Sequence, residues 1–226
     1  MKLLAVETSS PTFSVAVCGG EKILNSSAMG GMGRPSSHLM EMIQQGMEQA
    51  GFTLEDLDGF ALSIGPGSFT GLRVGVMTVK TLAWSLKKPV LPVSSLEVIA
   101  QNAGSSSQPV CIFLDARKGK VYSALFEADG AGHLKRLSQD RLLLPEEALK
   151  QIPKGTLLLG DGVQRYSELF ASHEQKPVVA SASDWIPKAE SLCRIAVSRW
   201  PTGTVDDPHR LVPQYLYSQE SDITGW

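Results

Sequence analysis

Glycine and hydroxyl residues are concentrated in residues 65–75, GPGSFTGLRVG, between a predicted strand and a predicted helix. Glycine-rich turns before helices often hold phosphate, because the N–H groups at a helix N-terminus attract anions. The phosphate-loop pattern needs four residues between its glycines, followed by lysine and a hydroxyl residue. Here five residues separate Gly65 from Gly71, and Leu72 and Arg73 follow. The spacing therefore favours a tight strand-to-helix turn over a phosphate cradle.

A second polar group, Glu7-Thr8-Ser9-Ser10, lies between two predicted strands. A carboxylate and hydroxyl groups in such a turn can hold a phosphate and its metal ion, although Ser and Thr in turns often bond only their own backbone. Asp161 lies between two glycines at the end of a later strand, where it can face a ligand or cap the next helix. We therefore take Glu7, Ser9, Gly65, Gly67 and Asp161 as a candidate nucleotide cleft.

The sequence contains no pattern that is typical of metal ligands or of an activated nucleophile. The histidines are His38, His133, His173 and His209. They form no i, i+4 pair of the kind that binds zinc on a helix, and each is expected at the surface. No serine lies in a Gly-x-Ser-x-Gly elbow. The sequence thus predicts neither a metal site nor a catalytic residue.

Composition narrows the class of protein further. The chain has 226 residues, of which 42% are hydrophobic, and a formal net charge of −2. A folded protein is expected, and independent nucleic-acid binding is disfavoured because it usually needs a basic surplus. Three widely spaced cysteines suit a reducing compartment. The N-terminus turns polar at Glu7, too early for a signal peptide, and no apolar run has membrane-spanning length. We expect a cytoplasmic protein that contacts no membrane.

The order of predicted elements indicates two α/β lobes. Strands come first and helices alternate with strands later, and this order occurs twice. The best linker, NAGSSSQP at residues 102–109, separates a lobe of residues 1–104 from one of residues 105–226. The last helix, near residues 187–200, can pack back on the first lobe. A single helix over residues 163–172 and a short strand in the tail VPQYLY are also predicted.

The helix predicted over residues 68–86 has two apolar faces. Leu72, Val76, Val79 and Ala83 form the face expected to pack on a sheet. The other face needs a second cover. It comprises Val74, Met77 and Trp84.

The helix before it offers methionines at its edge, which suit an adaptable contact surface. They are Met40, Met42 and Met47. With Val74, Met77 and Trp84 they form the predicted partner interface. The alternative is that Trp84 belongs to the core of its own lobe.

Four motifs, in this order, resemble the TsaB family, also called YeaZ and formerly grouped with M22 glycoproteases. They are ETSS at residues 7–10, GPGSFTGLR at 65–73, PVSSLE at 92–97 and DARKGKVY at 115–122. The second string is highly specific. The resemblance implies the actin, hexokinase and Hsp70-like fold with RNase H-like lobes.

The same resemblance implies a role in making threonylcarbamoyladenosine next to the tRNA anticodon. Family members act as the non-catalytic scaffold for the related catalytic subunit TsaD, with TsaE as the ATPase partner. Contact with tRNA is then expected only through the complex, and a homodimer is expected when the chain is alone. A contact of four helices, two from each subunit, is also implied.

The residues themselves favour the non-catalytic assignment. The catalytic relative carries metal-binding histidines after the Pro-Val strand, where this chain has Ser95 and Ile99. Isoleucine cannot bind a metal ion. The nucleotide cleft is then vestigial, with no required cofactor, and weak binding of ATP or ADP stays open. The competing function is a nucleotide-dependent or metallopeptidase-like enzyme of the same fold.

Overall fold

A computed structural model describes residues 1–30, 35–104, 106–128, 134–171, 173–200 and 207–217, with Pro35 and Ser36 described by their backbone alone. His133, Ser105 of the predicted linker and residues 31–34 lie outside these residues. In the described part of the chain, no helix is both long and apolar enough to span a bilayer.

The first sheet has five strands in the order β3-β2-β1-β4-β5. The strands are β1 Lys2–Glu7, β2 Phe13–Gly19, β3 Lys22–Met29, β4 Gly59–Gly65 and β5 Val90–Ser94. Antiparallel pairing joins β1 to β2 and β2 to β3, and parallel pairing joins β1 to β4 and β4 to β5. The helices here are α1 Pro35–Ala50, α2 Phe69–Leu86 and α3 Ser95–Ala100.

The second sheet repeats this order. Its strands are β6 Val110–Asp115, β7 Val121–Ala128, β8 Leu134–Arg136, β9 Arg141–Leu143, β10 Leu157–Leu159 and β11 Val178–Val179. They run β11-β10-β6-β7-β8, with β9 also on β7. An antiparallel meander therefore again precedes parallel strands, as predicted. The helices are α4 Pro145–Leu149, α5 Gly162–Arg165, α6 Ser167–Ala171 and α7 Ala189–Arg199.

Two compact units divide the chain. The first comprises Met1–Val98 and Pro187–Pro213, and the second comprises Ile99–Ile186 with the segment from Gln214. The sequence predicts a boundary after residue 104, whereas the units divide after Val98. Helix α7 lies in the first unit, where it packs on β1 and β2.

Some predicted elements differ from the structure. The helix predicted over residues 163–172 is two short helices, because Tyr166 has a non-helical backbone conformation. The tail, residues 212–217, contains no strand, so that prediction is wrong. The short strands β9 and β11 have too few residues to show an alternating pattern.

Strand β1 explains how the first unit is packed. Successive side chains of a strand point to opposite faces. Leu4 and Val6 lie in a core beneath α1 and α2, whereas Leu3 and Ala5 lie in a second core that includes α7. Both faces of this sheet are therefore covered, which accounts for the apolar run in KLLAVE.

The start of α2 lies unusually close to the β1–β2 turn. A Cβ atom on Gly71 would overlap the carbonyl oxygen of Thr8, and one on Gly67 would overlap that of Ser9. Ser68 caps the helix by accepting a hydrogen bond from Gly71 N at 3.3 Å. The glycines of the motif are thus needed where one backbone approaches another.

This approach makes a prediction that a matched pair of variants tests. Gly71→Ala should destabilise the protein by about 1–3 kcal/mol, because the methyl group has no room beside the backbone of Thr8. Gly46→Ala is the control. Gly46 is also inside a helix, but the nearest atom to its added Cβ, Asn25 Oδ1, is 3.4 Å away. That variant should be neutral or more stable by about 0.5–1 kcal/mol.

Urea unfolding of both variants measures the difference in stability. Equal unfolding midpoints for the two variants would show that the α2 turn tolerates a side chain at Gly71.

Candidate functional site

The carboxyl ends of the parallel strands β1, β4 and β5 meet at one edge of the first sheet, the usual ligand position in open α/β sheets. Polar residues cluster here and are buried. They are Glu7, Thr8, Ser9, Ser63 and Ser95. Ser63 and Ser95 share a hydrogen bond of 2.7 Å between their hydroxyl groups. The site therefore has the location of a ligand cleft but not an exposed polar surface.

Glu7 is the ionisable group of this cluster. Its Oε1 accepts a hydrogen bond from Ser9 N at 2.6 Å. In the described part of the chain, Glu7 Oε2 and Thr8 Oγ1 have no hydrogen-bond partner. Burial raises the pKa of the Glu7 carboxyl above its ordinary value, and hydrogen bonding from Ser9 opposes that rise. Burial disfavours the charged form of a carboxyl group, because that form loses its hydration.

The glycine-rich turn packs against this cluster. Ser68 N donates to Ser9 O at 2.7 Å, and Leu72 N donates to Ser68 O at 2.9 Å. The Ser68–Ser9 bond joins the glycine-rich turn to the β1–β2 turn, and the bonds from Gly71 and Leu72 to Ser68 begin α2. As predicted, these residues form a tight turn between β4 and α2, and Gly67 and Gly71 allow close packing there.

The predicted cleft residues are partly brought together. Glu7, Ser9, Gly65 and Gly67 lie at the strand ends of the first unit, where Gly67 approaches the backbone of Ser9. Asp161 lies in the second unit. Its Oδ1 accepts a hydrogen bond from Asp115 N at 2.8 Å, and its side chain does not cap α5. Nucleotide binding by these residues stays a prediction.

Helix α2 also presents large apolar side chains to solvent. Its core face is as predicted, because Leu72, Val76, Val79 and Ala83 are buried. Met77 is 61% exposed and Trp84 is 62% exposed. The alternative that Trp84 belongs to the core of its own unit is therefore wrong. Val74 is partly buried against the core beneath α1 and α2.

The methionines of α1 separate into two groups. Met40 is 50% exposed, whereas Met42 and Met47 are buried in the core at 5% and 3% exposure. The expectation that all three lie at a free edge is thus wrong for Met42 and Met47. At helical spacing these two share the face of Leu39 and Ile43, which packs on the sheet. Of the three, Met40 can contact a partner without rearrangement of the core.

Sequence reasoning missed Phe69 as a member of the exposed surface. Phe69 is 55% exposed, and the Arg73 guanidinium lies 3.8 Å from its ring centroid. Residues 69, 73 and 77 are four apart, so they lie on one side of α2. This i, i+4 spacing was the available signal. We define the α2 surface as Phe69, Met77 and Trp84.

Residues 207–211, which belong to the first unit, lie beside Trp84. The rings of Trp84 and His209 meet edge to face, with centroids 6.5 Å apart. Lys80 Nζ donates to His209 O at 3.0 Å, and Leu211 is buried in the core. Residues 207–209 border a groove of about 790 Å³ next to Trp84. The indole therefore stands at the edge of a cavity that a partner side chain can fill.

The positions of the relative's metal histidines are apolar or internally bonded here. Ser95 is fully buried and pairs with Ser63, and Ile99 is fully buried. Among the residues that the structure describes, no three His, Cys, Asp or Glu side chains form a group able to hold a metal ion.

Comparison with known proteins places these features in context. A sequence model of the family described as TsaD: tRNA N6-adenosine threonylcarbamoyltransferase matches residues 34–196. The chain is 28% identical to the tRNA threonylcarbamoyladenosine biosynthesis protein TsaB of Bacillus subtilis (strain 168). That alignment covers 98% of the chain and 96% of the relative.

Solved structures agree with this similarity. YeaZ from Pseudomonas aeruginosa superposes with a TM-score of 0.85 at 30% identity, covering 95% of this chain and 99% of that one. The ethanolamine utilization protein EutJ from Carboxydothermus hydrogenoformans has a TM-score of 0.50 at 12% identity, covering 86% and 90%, and shows the fold alone. The predicted α/β fold, with two sheets of the same strand order, is confirmed.

The buried carboxyl of Glu7 predicts a pH-dependent stability. Because folding raises the pKa of the Glu7 carboxyl, protonation of Glu7 stabilises the folded state. This stabilisation is complete below about pH 4.5, where an exposed glutamate ionises. That contribution is lost as the pH rises towards the folded-state pKa. Glu7→Gln should therefore gain stability relative to the parent as the pH increases from 4 to 8. Any pH-independent effect of the amide cancels in this comparison.

Unfolding free energies of both proteins across this pH range provide the measurement. Glu55→Gln, at an exposed position of the first unit, is the matched control for replacing a carboxylate with an amide, and its difference from the parent should vary less with pH than that of Glu7→Gln. A Glu7→Gln difference that stays constant with pH would show that Glu7 is equally ionised in the folded and unfolded states.

Proposed function

The chain belongs to the TsaB (YeaZ) family of tRNA threonylcarbamoyladenosine biosynthesis proteins, and from this we propose that it is the non-catalytic scaffold subunit that binds TsaD. In this proposal TsaD carries out the transfer, TsaE supplies ATPase activity, and tRNA is reached through the complex. The chain requires no cofactor of its own. It works in the cytoplasm, away from membranes.

The observation that carries the proposal is the α2 surface. Helix α2 is fixed by its buried face, yet Phe69, Met77 and Trp84 are each more than half exposed. Large apolar side chains that share one helix face favour contact with a partner. Trp84 next to a groove has the character of an interface hot spot, which typically combines an aromatic residue with a pocket.

Family membership supports TsaD as the occupant of this surface. The family model that describes the transferase matches residues 34–196, which include both α1 and α2. TsaD should thus contain helices equivalent to α1 and α2. The two helices of each subunit can then pack together as a four-helix contact. The same pairing between two copies of this chain accounts for the homodimer expected when TsaD is absent.

The absence of catalysis is supported by the positions that bind metal in the catalytic relative. Ser95 is already hydrogen-bonded to Ser63, and Ile99 offers no ligand atom. The contribution of this chain is then mechanical. It holds α2 in place through the core and the β1–β2 turn, so that the partner docks on a surface that needs little ordering on binding.

A reconstitution experiment tests the scaffold role. The chain alone should not modify tRNA, and TsaD with TsaE should modify it only when the chain is added. Threonylcarbamoyl-adenylate should be supplied in every reaction, so that the outcome reports the transfer. Modification by the isolated chain, or a full rate from TsaD and TsaE without it, would contradict the scaffold role.

The competing enzyme hypothesis is tested on the same preparation. A nucleotide-dependent or metallopeptidase-like enzyme should turn over ATP, cleave a peptide or retain stoichiometric zinc. For a scaffold, ATP turnover should stay at the background of a heat-inactivated sample, and weak ATP or ADP binding should not support turnover. Turnover that survives further purification and is lost in Glu7→Gln would favour the enzyme.

The α2 surface predicts the effect of removing its largest side chain. Trp84→Ala should weaken TsaD binding, or self-association in its absence, by about 30-fold or more, which corresponds to roughly 2 kcal/mol. The melting temperature should change little, because Trp84 is 62% exposed. Leu144→Ala is the control, since Leu144 is 46% exposed but belongs to the second unit.

Titration with TsaD and thermal melting on both variants give the answer. A large loss of melting temperature with unchanged TsaD affinity would mean that Trp84 serves the fold and not the interface.

A further inference from the structure

The turn between β6 and β7 carries cationic side chains on an unusual backbone. Arg117, Lys118 and Gly119 have successive φ angles of 65°, 49° and 73°. Left-handed conformations cost a non-glycine residue about 1–2 kcal/mol, whereas glycine adopts them freely. Arginine and lysine are therefore poor choices for the stability of this turn. Lys87 and Lys176 also have positive φ, but among the residues that the structure describes only this turn has two adjacent non-glycine residues that carry this cost, and both are cationic.

The turn is held in one conformation from two sides. Ala116 N donates to Lys120 O at 3.0 Å, and Lys120 N donates to Arg117 O at 3.0 Å. The Tyr217 hydroxyl donates to Ala116 O at 2.9 Å and lies 3.3 Å from Arg117 O. Tyr217 in turn packs edge to face on Tyr122, with ring centroids 6.2 Å apart. The cations are thus carried on a preorganised support.

The charges at this place are mainly positive. Arg117, Lys118, Lys120 and Arg165 contribute four cations, and Asp115 and Asp161 contribute two carboxylates. Asp115 is only 8% exposed and lies 3.3 Å from Arg117 and 3.5 Å from Arg165. Asp161 accepts the hydrogen bond from Asp115 N. Asp115 therefore anchors both arginines from a buried position, whereas Asp161 is exposed and the Arg117 side chain is 81% exposed.

We propose that this basic turn, Arg117, Lys118 and Lys120 with Arg165 beside it, binds the phosphodiester backbone of tRNA within the complex. The proposal rests on the proposed function, because the tRNA is presented there. Arginine and lysine side chains that project from a rigid turn suit phosphate oxygens, which position an RNA without reading its sequence. The chain has a net charge of −2, so the basic turn is a local exception.

The size of the turn sets the expected strength of binding. Each phosphate neutralised contributes a salt dependence of roughly −0.7 to −0.9 in log K against log salt concentration. Three or four cations can neutralise only a few phosphates. The isolated chain should therefore hold tRNA weakly and mainly at low salt, and the turn should add to an affinity that TsaD supplies.

The test compares two triple variants that lose the same charge. R117Q/K118Q/K120Q removes cations from the turn. K135Q/K150Q/K154Q removes three exposed lysines elsewhere in the second unit. In the strand register Lys135 of β8 lies opposite Glu127, at the end of β7 away from the turn. Binding of labelled tRNA is followed by fluorescence anisotropy between 50 and 200 mM KCl, for the chain with TsaD and for the chain alone.

The turn variant should bind tRNA about tenfold more weakly at the low-salt end and lower the salt slope by about 2, whereas the control should change affinity less than about twofold. Equal affinity and slope for both triple variants would overturn the proposal. So would a turn variant that loses TsaD instead of tRNA, because the turn would then be a protein contact.

Failure of the proposed function gives a different result. If the unsubstituted chain does not bind TsaD, that function is wrong, while the titration of the isolated chain still reports on the turn. Melting temperatures of both variants confirm that they are folded. If the turn variant unfolds because Arg117 is lost from Asp115, K118Q/K120Q against K150Q/K154Q leaves that ion pair intact and decides the question.

Discussion

The close packing of α2 against the β1–β2 turn determines much of what the first unit can do. Because Gly71 and Gly67 bring the helix start against the backbone of Thr8 and Ser9, α2 has little freedom to rotate. Its face with Leu72, Val76 and Val79 is committed to the core. The adjoining face carries Phe69, Met77 and Trp84, which are exposed to solvent, and we propose that a partner covers them. The proposed binding surface is thus a consequence of how the helix is anchored.

The same packing changes the chemistry of the strand ends. A sheet edge that would suit a phosphate instead holds a buried carboxyl, Glu7, with one oxygen unpartnered in the described part of the chain. The glycines of the turn fill the space against Thr8 and Ser9, and Ser68 N bonds Ser9 O. Such an arrangement favours packing over strong binding of a nucleotide.

The sequence was informative wherever glycine, proline or a cap residue marked the end of a periodic segment, as Ser68 does for α2. It was less informative about which side of a helix is covered. Met40 and Met42 are only two residues apart, yet one is half exposed and the other is in the core. That difference depends on how α1 is rotated about its axis on the sheet. The residue types of the helix do not determine this rotation. The tail had apolar residues but no strand to pair with, and pairing is a tertiary property.

Both surfaces that we assign to partners share one physical property: each is displayed on a support that is ordered before binding. Trp84 lies on a helix fixed by the core, and its ring packs edge to face with that of His209, whose backbone is bonded to Lys80 of α2. The basic turn has two hydrogen bonds of its own and is joined to Tyr217. Preordered side chains lose less conformational entropy when a partner arrives, so a modest contact area can still contribute useful affinity. In the scaffold role that we propose, such ordering is the means by which this subunit can influence a reaction that another subunit performs.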